Sequence, residues 1–219
     1  VIRRADALVA LILLLLAPPL RAQTATAAAI LQRTADTYRQ LTSFTAEFEQ
    51  VVSSEMIGTF KSRGTLAQAG ASRLSMRFAD PPGEAIVIDG TSIWIYTPST
   101  APGQVLRMPI ARASSYGVNL LAWLLDRPTE RYRVTLVRLD EVGGTPVDVL
   151  QMTPVVEGLP FTSARLWLAR SDALPRRVEV TEPSGNHRTL TLAQIRTNTA
   201  LPPATFTFTP PKGVKVIDQ

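Results

Sequence analysis

The 219-residue chain contains no cysteine and a single histidine. Without cysteine no disulfide framework can staple the fold, so its stability must come from a hydrophobic core, and no lipid-modified cysteine can anchor it. The one histidine, His187, stands beside the Ser184-Gly185-Asn186 turn. It leaves no His/Cys cluster for a metal and no nucleophile–histidine pair, and neither a Gly-x-Ser-x-Gly elbow nor a phosphate loop occurs. Carboxylates are dispersed: Asp89 and Asp140 read as strand-end residues and Asp126 as the end of a short helix, not as an acid/base pair. The expectation is therefore a non-enzymatic protein with no cofactor and no metal. Charge of one sign is also scarce, with 23 Lys and Arg against 18 Asp and Glu. So mild and scattered an excess argues against nucleic acid as a partner.

What is present is apolar. Residues of that class make up 45% of the chain, too many for disorder and ordinary for a folded domain. The N-terminus places Arg3-Arg4 before an unbroken apolar run from Ala7 to Ala17, then Pro18-Pro19 and Leu20-Arg21-Ala22. This is the layout of a cleavable secretory signal, with residues 1–22 removed before Gln23. The run is short for a spanning helix, which needs about 20 apolar residues. Removing Arg3, Arg4, Arg21 and Asp6 with it lowers the net charge from +5 to +3. Residues 23–219 then read as one domain, since no long linker or internal repeat divides them.

Within that domain, Thr26 is a candidate N-cap for a helix of about 14 residues. Leu31, Ala35, Tyr38 and Leu41 recur at helical spacing, opposite Arg33, Asp36, Arg39 and Gln40. From Phe44 the period changes to two. Phe44 to Gln50 alternates, and Arg73-Leu74-Ser75-Met76-Arg77-Phe78 sets Leu74, Met76 and Phe78 on one face. Tyr132 to Leu136, Arg165 to Leu168, Arg177 to Val180 and Arg188 to Leu192 repeat the pattern. These predict half-buried antiparallel strands. Pro81-Pro82-Gly83, Asp89-Gly90, Gly143-Gly144, Pro183 to Asn186 and Pro210-Pro211 mark hairpin turns, giving ten or eleven strands in one curved sheet or barrel. Between Pro109 and Pro128 the alternation stops. Leu120, Leu121, Trp123, Leu124 and Leu125 cluster there, with Asn119 placed to cap a short helix and Pro128 to end it. Periodicity leaves two readings open: a solid core, or a cavity covered by the two apolar helices.

Three segments resemble a known family. Ser43-Phe44-Thr45-Ala46-Glu47-Phe48-Glu49-Gln50 is similar to the opening strand of the LolA lipoprotein carriers. Ile88-Asp89-Gly90-Thr91-Ser92-Ile93-Trp94-Ile95-Tyr96-Thr97-Pro98 resembles their Asp-Gly hairpin, and Phe206 to Val214 their C-terminal Phe-x-Phe-x-Pro-Pro signature. The resemblance runs from about residue 28 to residue 217. It implies a mainly β protein: an unclosed antiparallel half-barrel of about eleven strands with an α-helical lid, formed by Ile30 to Leu41 and Ser115 to Asp126. It further implies a periplasmic monomer that takes acylated lipoproteins from the inner-membrane exporter LolCDE to the outer-membrane acceptor LolB or an equivalent. The implied lipid-binding cavity holds Leu74, Met76 and Phe78; alternation adds Phe48, Leu66, Ile86, Ile88, Leu166, Leu168, Val178, Val180, Leu190 and Leu192. Trp94 and Tyr96, which share a face, join these candidates. The implied lid contacts are Leu31, Tyr38, Leu41, Leu120, Leu121, Leu124 and Leu125. Many such carriers place Arg-Pro before the third strand, the arginine bonding the lid shut. This chain has Gly70-Ala71 there and Arg73 on the outward face, which implies a more permanently open or differently latched pocket. Other readings remain: a carrier or sensor of another amphiphile such as a glycolipid, or an interaction domain with a solid core.

Overall fold

The computed structural model describes residues 26–56, 58–70, 72–110 and 119–219. The expected signal segment, and residues 115–118 of the expected second lid element, lie outside them. Helix α1 spans Ala27–Arg39, and Thr26 caps it by accepting the Ala29 N–H at 3.2 Å. Among the described residues twelve strands follow: β1 Phe44–Ser54, β2 Gly58–Ala69, β3 Arg73–Asp80, β4 Ala85–Ile88, β5 Ser92–Tyr96, β6 Gln104–Pro109, β7 Tyr132–Val142, β8 Thr145–Pro154, β9 Ser163–Ala169, β10 Pro175–Thr181, β11 His187–Thr197 and β12 Lys215–Asp218. Two short helices, α2 Leu120–Leu124 and α3 Pro128–Arg131, lie between β6 and β7.

All strands join one sheet, in the order β12-β6-β5-β4-β3-β2-β1-β11-β10-β9-β8-β7. Its two ends do not meet, so the barrel is unclosed. Every pairing is antiparallel except β12 on β6. That parallel strand is the one beyond the expected eleven, and four residues of alternation are too few to announce it. Pro210-Pro211 consequently marks no hairpin; it lies in the segment that carries the chain from a single 3-10 turn, Pro203–Phe206, to β12. Pro128 does not end the lid helix but opens α3, where a proline's missing N–H goes unmissed.

The period-two pattern sets the faces. Ala46, Leu66, Met76, Ile86 and Ile95 stand opposite one another across β1 to β5, and Leu150, Leu166, Val178 and Leu190 do so across β8 to β11. Both rows belong to the inner face. At Gly64, which opposes Phe48 on one side and Phe78 on the other beside a register shift, the strands come unusually close. A Cβ there would stand 2.0 Å from the carbonyl oxygen of Arg77. Only glycine lets the β3 backbone approach so closely, and the Phe48 and Phe78 rings that flank it meet edge to face with centroids 5.2 Å apart.

The outer face is covered at two places. Over β3 to β6 runs the C-terminal strap. The Arg73 guanidinium lies 5.3 Å from the Phe206 ring, Arg77 donates to the Thr207 carbonyl at 2.8 Å, and Phe208 packs against Trp94 and Tyr96, each at 5.7 Å. This is why Ser75 and Val87, outward by alternation, are buried. Over β8 and β9, Trp167 is buried beneath Arg138, Arg165 and Arg177 and donates its indole N–H to Asp140 at 3.1 Å.

Candidate functional site

Helices α1 and α2 lie across the concave face and share one apolar cluster with it. Phe48, Leu66, Leu74, Met76, Ile88, Leu166, Leu168, Val178, Val180, Leu190 and Leu192 are buried in that cluster, and Phe78 and Ile86 pack against it half-buried. From the lid come Leu31, Tyr38, Leu121, Leu124 and Leu125, with Leu41 and Leu120 at its margin. Trp94 and Tyr96 are not brought there. On β5 the inner face is taken by Ile93 and Ile95, and alternation sends Trp94 and Tyr96 outward to the strap. Trp94 is fixed there by donating its indole N–H to Asp89 at 2.8 Å. The expectation that these two aromatics line the interior is corrected.

Among the described residues, the lid's leucines pack into the interior, and beneath α2 a small void of about 20 Å³ lies between Gln50, Leu66, Leu74, Met76, Asn119, Leu120, Leu121, Arg188 and Leu190. The main apolar cavity, about 330 Å³, sits at the seam where α1 meets α2 and the start of β1. Ala35, Tyr38, Leu41, Phe44, Ala122 and Leu125 line it, with Gln68 and Asp126 among its polar groups. A larger hollow of about 440 Å³ lies on the outer side of β11, β1, β2 and β3, edged by Glu47, Glu49 and Arg63. Those exposed charges make it a poor place for an apolar guest, and the seam is the better candidate.

An arginine does hold the lid. Arg131, from α3, donates to the carbonyl oxygens of Trp123 at 3.2 Å and Asp126 at 3.4 Å, pairs with the Asp126 carboxylate at 3.5 Å, and stacks 4.5 Å from the Trp123 ring. The Trp123 carbonyl belongs to the last turn of α2, where it also accepts the Asp126 N–H at 3.4 Å, and the Asp126 carbonyl lies just beyond that helix. Of the two expected alternatives, a more permanently open or a differently latched pocket, the Arg131 contacts fit the second, and Arg73, tied up on the outer face against Phe206, takes no part in the latch. Trp123 also meets Phe161 edge to face at 5.0 Å, and Phe161 stacks on Tyr132 at 5.7 Å. Helix α1 is fastened separately. Tyr38 donates its hydroxyl to the Gln68 amide oxygen, and the Gln68 amide donates to the Gly70 carbonyl at 2.9 Å. Burial raises the Tyr38 hydroxyl pKa well above the usual phenol range, and pushes Tyr132 up to about 12. Both remain neutral under ordinary conditions.

Several contributors were not singled out in the sequence. Ile93 and Ile95 were masked by the aromatics between them. Phe161 lies in the loop between β8 and β9, where no period operates, and Arg131 sits in a four-residue helix too short for any pattern. Phe44, 1% exposed, was visible only as the first residue of an alternating strand.

Comparison with known proteins fits this geometry. The family described as Outer membrane lipoprotein carrier protein LolA matches residues 39–209. The chain belongs to the LolA family. Relatives named Outer-membrane lipoprotein carrier protein include one from Xanthomonas oryzae pv. oryzae, 30% identical over 207 residues, covering 92% of this chain and 94% of the relative. Another, from Chromobacterium violaceum, is 29% identical over 177 residues and covers 80% and 81% of the two chains. Among solved structures, an uncharacterized conserved protein from Thermus thermophilus aligns with a TM-score of 0.57 at 16% identity, over 88% of this chain and 99% of its own. That last likeness shows the fold alone. LolA proteins are carriers, not enzymes, in line with the missing catalytic inventory. Among the described residues no helix is long and apolar enough to cross a membrane.

Proposed function

We propose that this LolA-family chain shuttles acylated lipoproteins through the periplasm, taking each from the inner-membrane exporter LolCDE and yielding it to the outer-membrane acceptor LolB or an equivalent, as a monomer. The observation that carries the reading is the lid. An amphipathic helix, α1, and a short apolar one, α2, bury leucines against a concave apolar sheet, yet α2 is fastened at its C-terminal end mainly by one arginine. An acyl chain enters by taking the lid's place. Full burial of a leucine is worth roughly 1.5–3 kcal/mol, so Leu121, Leu124 and Leu125 together hold the lid down by about 5–9 kcal/mol. One acyl chain of about 15 methylenes offers about 12 kcal/mol at roughly 0.8 kcal/mol each. On these figures one chain favours the loaded state by about 3–7 kcal/mol, a margin that releasing the Arg131 hydrogen bonds narrows, and two or more chains favour it further. That margin suits a carrier, which must both take up and let go. Met76 and Met108 on the inner side supply flexible surface that re-packs around chains of different length. No bond is broken on this protein, so direction comes from the loading and accepting partners.

In-cell photocrosslinking from Leu74 or Phe78 tests the reading. Adducts with acylated lipoproteins are expected from these inner positions and not from Trp94 or Tyr96 on the outer face. A well-expressed protein that gives no lipoprotein adduct from either inner position would count against it.

A further inference from the structure

The void beneath α2 has one polar corner. Its apolar wall is made by Leu66, Leu74, Met76, Leu121 and Leu190, and into it project Gln50, Arg188 and Asn119. Asn119 is 8% exposed. Its side-chain oxygen is used: it caps α2 by accepting the Ala122 N–H at 3.2 Å. Its side-chain nitrogen, Nδ2, is buried and donates to nothing among the described residues. Gln50 donates to the Ser62 hydroxyl at 3.4 Å, and the Arg188 guanidinium is engaged through Nη2 by Glu182 at 3.4 Å. A buried amide donor is normally met, because leaving it unmet forfeits its hydration without return. The void, about 20 Å³, has room for one atom the size of a water oxygen.

We infer that the Asn119 amide is a recognition group for the carbonyl oxygen of an acyl ester or amide, lodged among side chains that otherwise hold only hydrocarbon. The inference rests on the lipid-carrier reading and sharpens it. A plain alkyl chain offers Nδ2 no acceptor. A fatty acyl chain carries one acceptor at the end of its hydrocarbon; as it takes the place of the lid leucines, Leu66, Leu74, Met76 and Leu190 on the sheet meet the hydrocarbon and Asn119, at the N-terminal end of the lid helix, meets the acceptor. Asn119 thereby separates acylated cargo from alkyl chains of equal length, while its oxygen keeps the lid helix capped.

The test uses two lysophospholipids with the same head group and a sixteen-carbon chain, one joined by an ester and one by an ether, so that they differ in the carbonyl. Each displaces a hydrophobic fluorophore from the full chain. One hydrogen bond is worth about fivefold to tenfold in affinity, and the ester is expected to bind tighter than the ether by that factor. In Asn119→Ser, which retains a capping oxygen but has no amide donor, the ester's affinity falls to that of the ether and the ether's is unchanged. Asn119→Asp, also a good cap, gives the same loss and guards against a folding defect peculiar to serine. Equal binding of the two lipids by the unaltered protein, or an ester preference that survives both substitutions, would overturn the role of Asn119 while leaving lipid carriage intact. Failure of either lipid to bind at all would instead sink the carrier reading and this inference with it.

Discussion

The same sheet is covered on both sides, by two very different structures. On the inside lie α1 and α2, short elements whose contacts are nearly all apolar and whose polar fastenings converge on Arg131 and on the Tyr38–Gln68 bond. On the outside lies the C-terminal strap, which is stitched down along its length. Arg73 and Arg77 stack on Phe206 and Phe208, Arg77 bonds the strap backbone, and the strap ends as β12 in the sheet itself. Apolar contact is tolerant of rearrangement, whereas a backbone ladder backed by cation–aromatic pairs is less so. One cover is fit to move and the other to stay.

The largest effect expected from that contrast comes from the strap. Phe206 is 4% exposed, and Phe206→Ala should cost about 3–5 kcal/mol of global stability, read by denaturant unfolding. Lipid uptake by the fraction that remains folded should be unaltered. If the substitution instead loosens the lid and leaves global stability alone, the assignment of the two covers is wrong. Next in size is Arg131→Met, which keeps much of the side chain's bulk but none of its hydrogen bonds. Each bond from a charged donor is worth about 1.5–3 kcal/mol. Amide exchange in α2 should therefore quicken by about tenfold or more, while β3 to β6 keep their protection. Unchanged exchange in α2 would remove Arg131 as the latch.

The smallest effect concerns acid, on the strap's side. Burial raises the pKa of the Asp89 carboxyl, but hydrogen bonds from the backbone of Ser92, the Trp94 indole and Thr91 outweigh it and hold the group below the usual carboxylate range. A depressed folded pKa contributes stability above the unfolded value, about 3.9, and that contribution is lost as pH falls through the folded pKa. Asp89→Asn should therefore be less stable than the parent near neutrality, and the gap should narrow below about pH 4. A gap that stays constant down to pH 2 would show that Asp89 is not held in this way.

The fold was legible because its rule is local. Alternation over Arg73 to Phe78 places three side chains inward without any knowledge of their neighbours, and Thr26 and Asn119 cap the helices that follow them as their positions implied. The site was legible only in part, because its decisive features are not local. Trp94 and Tyr96 look like cavity residues until Phe206 and Phe208, more than a hundred positions later, claim their side of the sheet. The latch depends on Arg131 folding back across Asp126 and Trp123, a contact set by two turns of chain and by no periodicity. Whether the interior is hollow depends on where the lid rests. Composition cannot tell a leucine that fills a cavity from one that guards it.

Hydrogen exchange of the intact chain, with and without a triacylated lipopeptide at saturation, tests the central claim most directly. If the lid leucines occupy the space that cargo takes, the amides of α2 lose protection on loading while the strap and β3 to β6 keep theirs. An α2 that stays equally protected in the fully loaded protein would contradict it, since the chains would then be held somewhere other than beneath the lid.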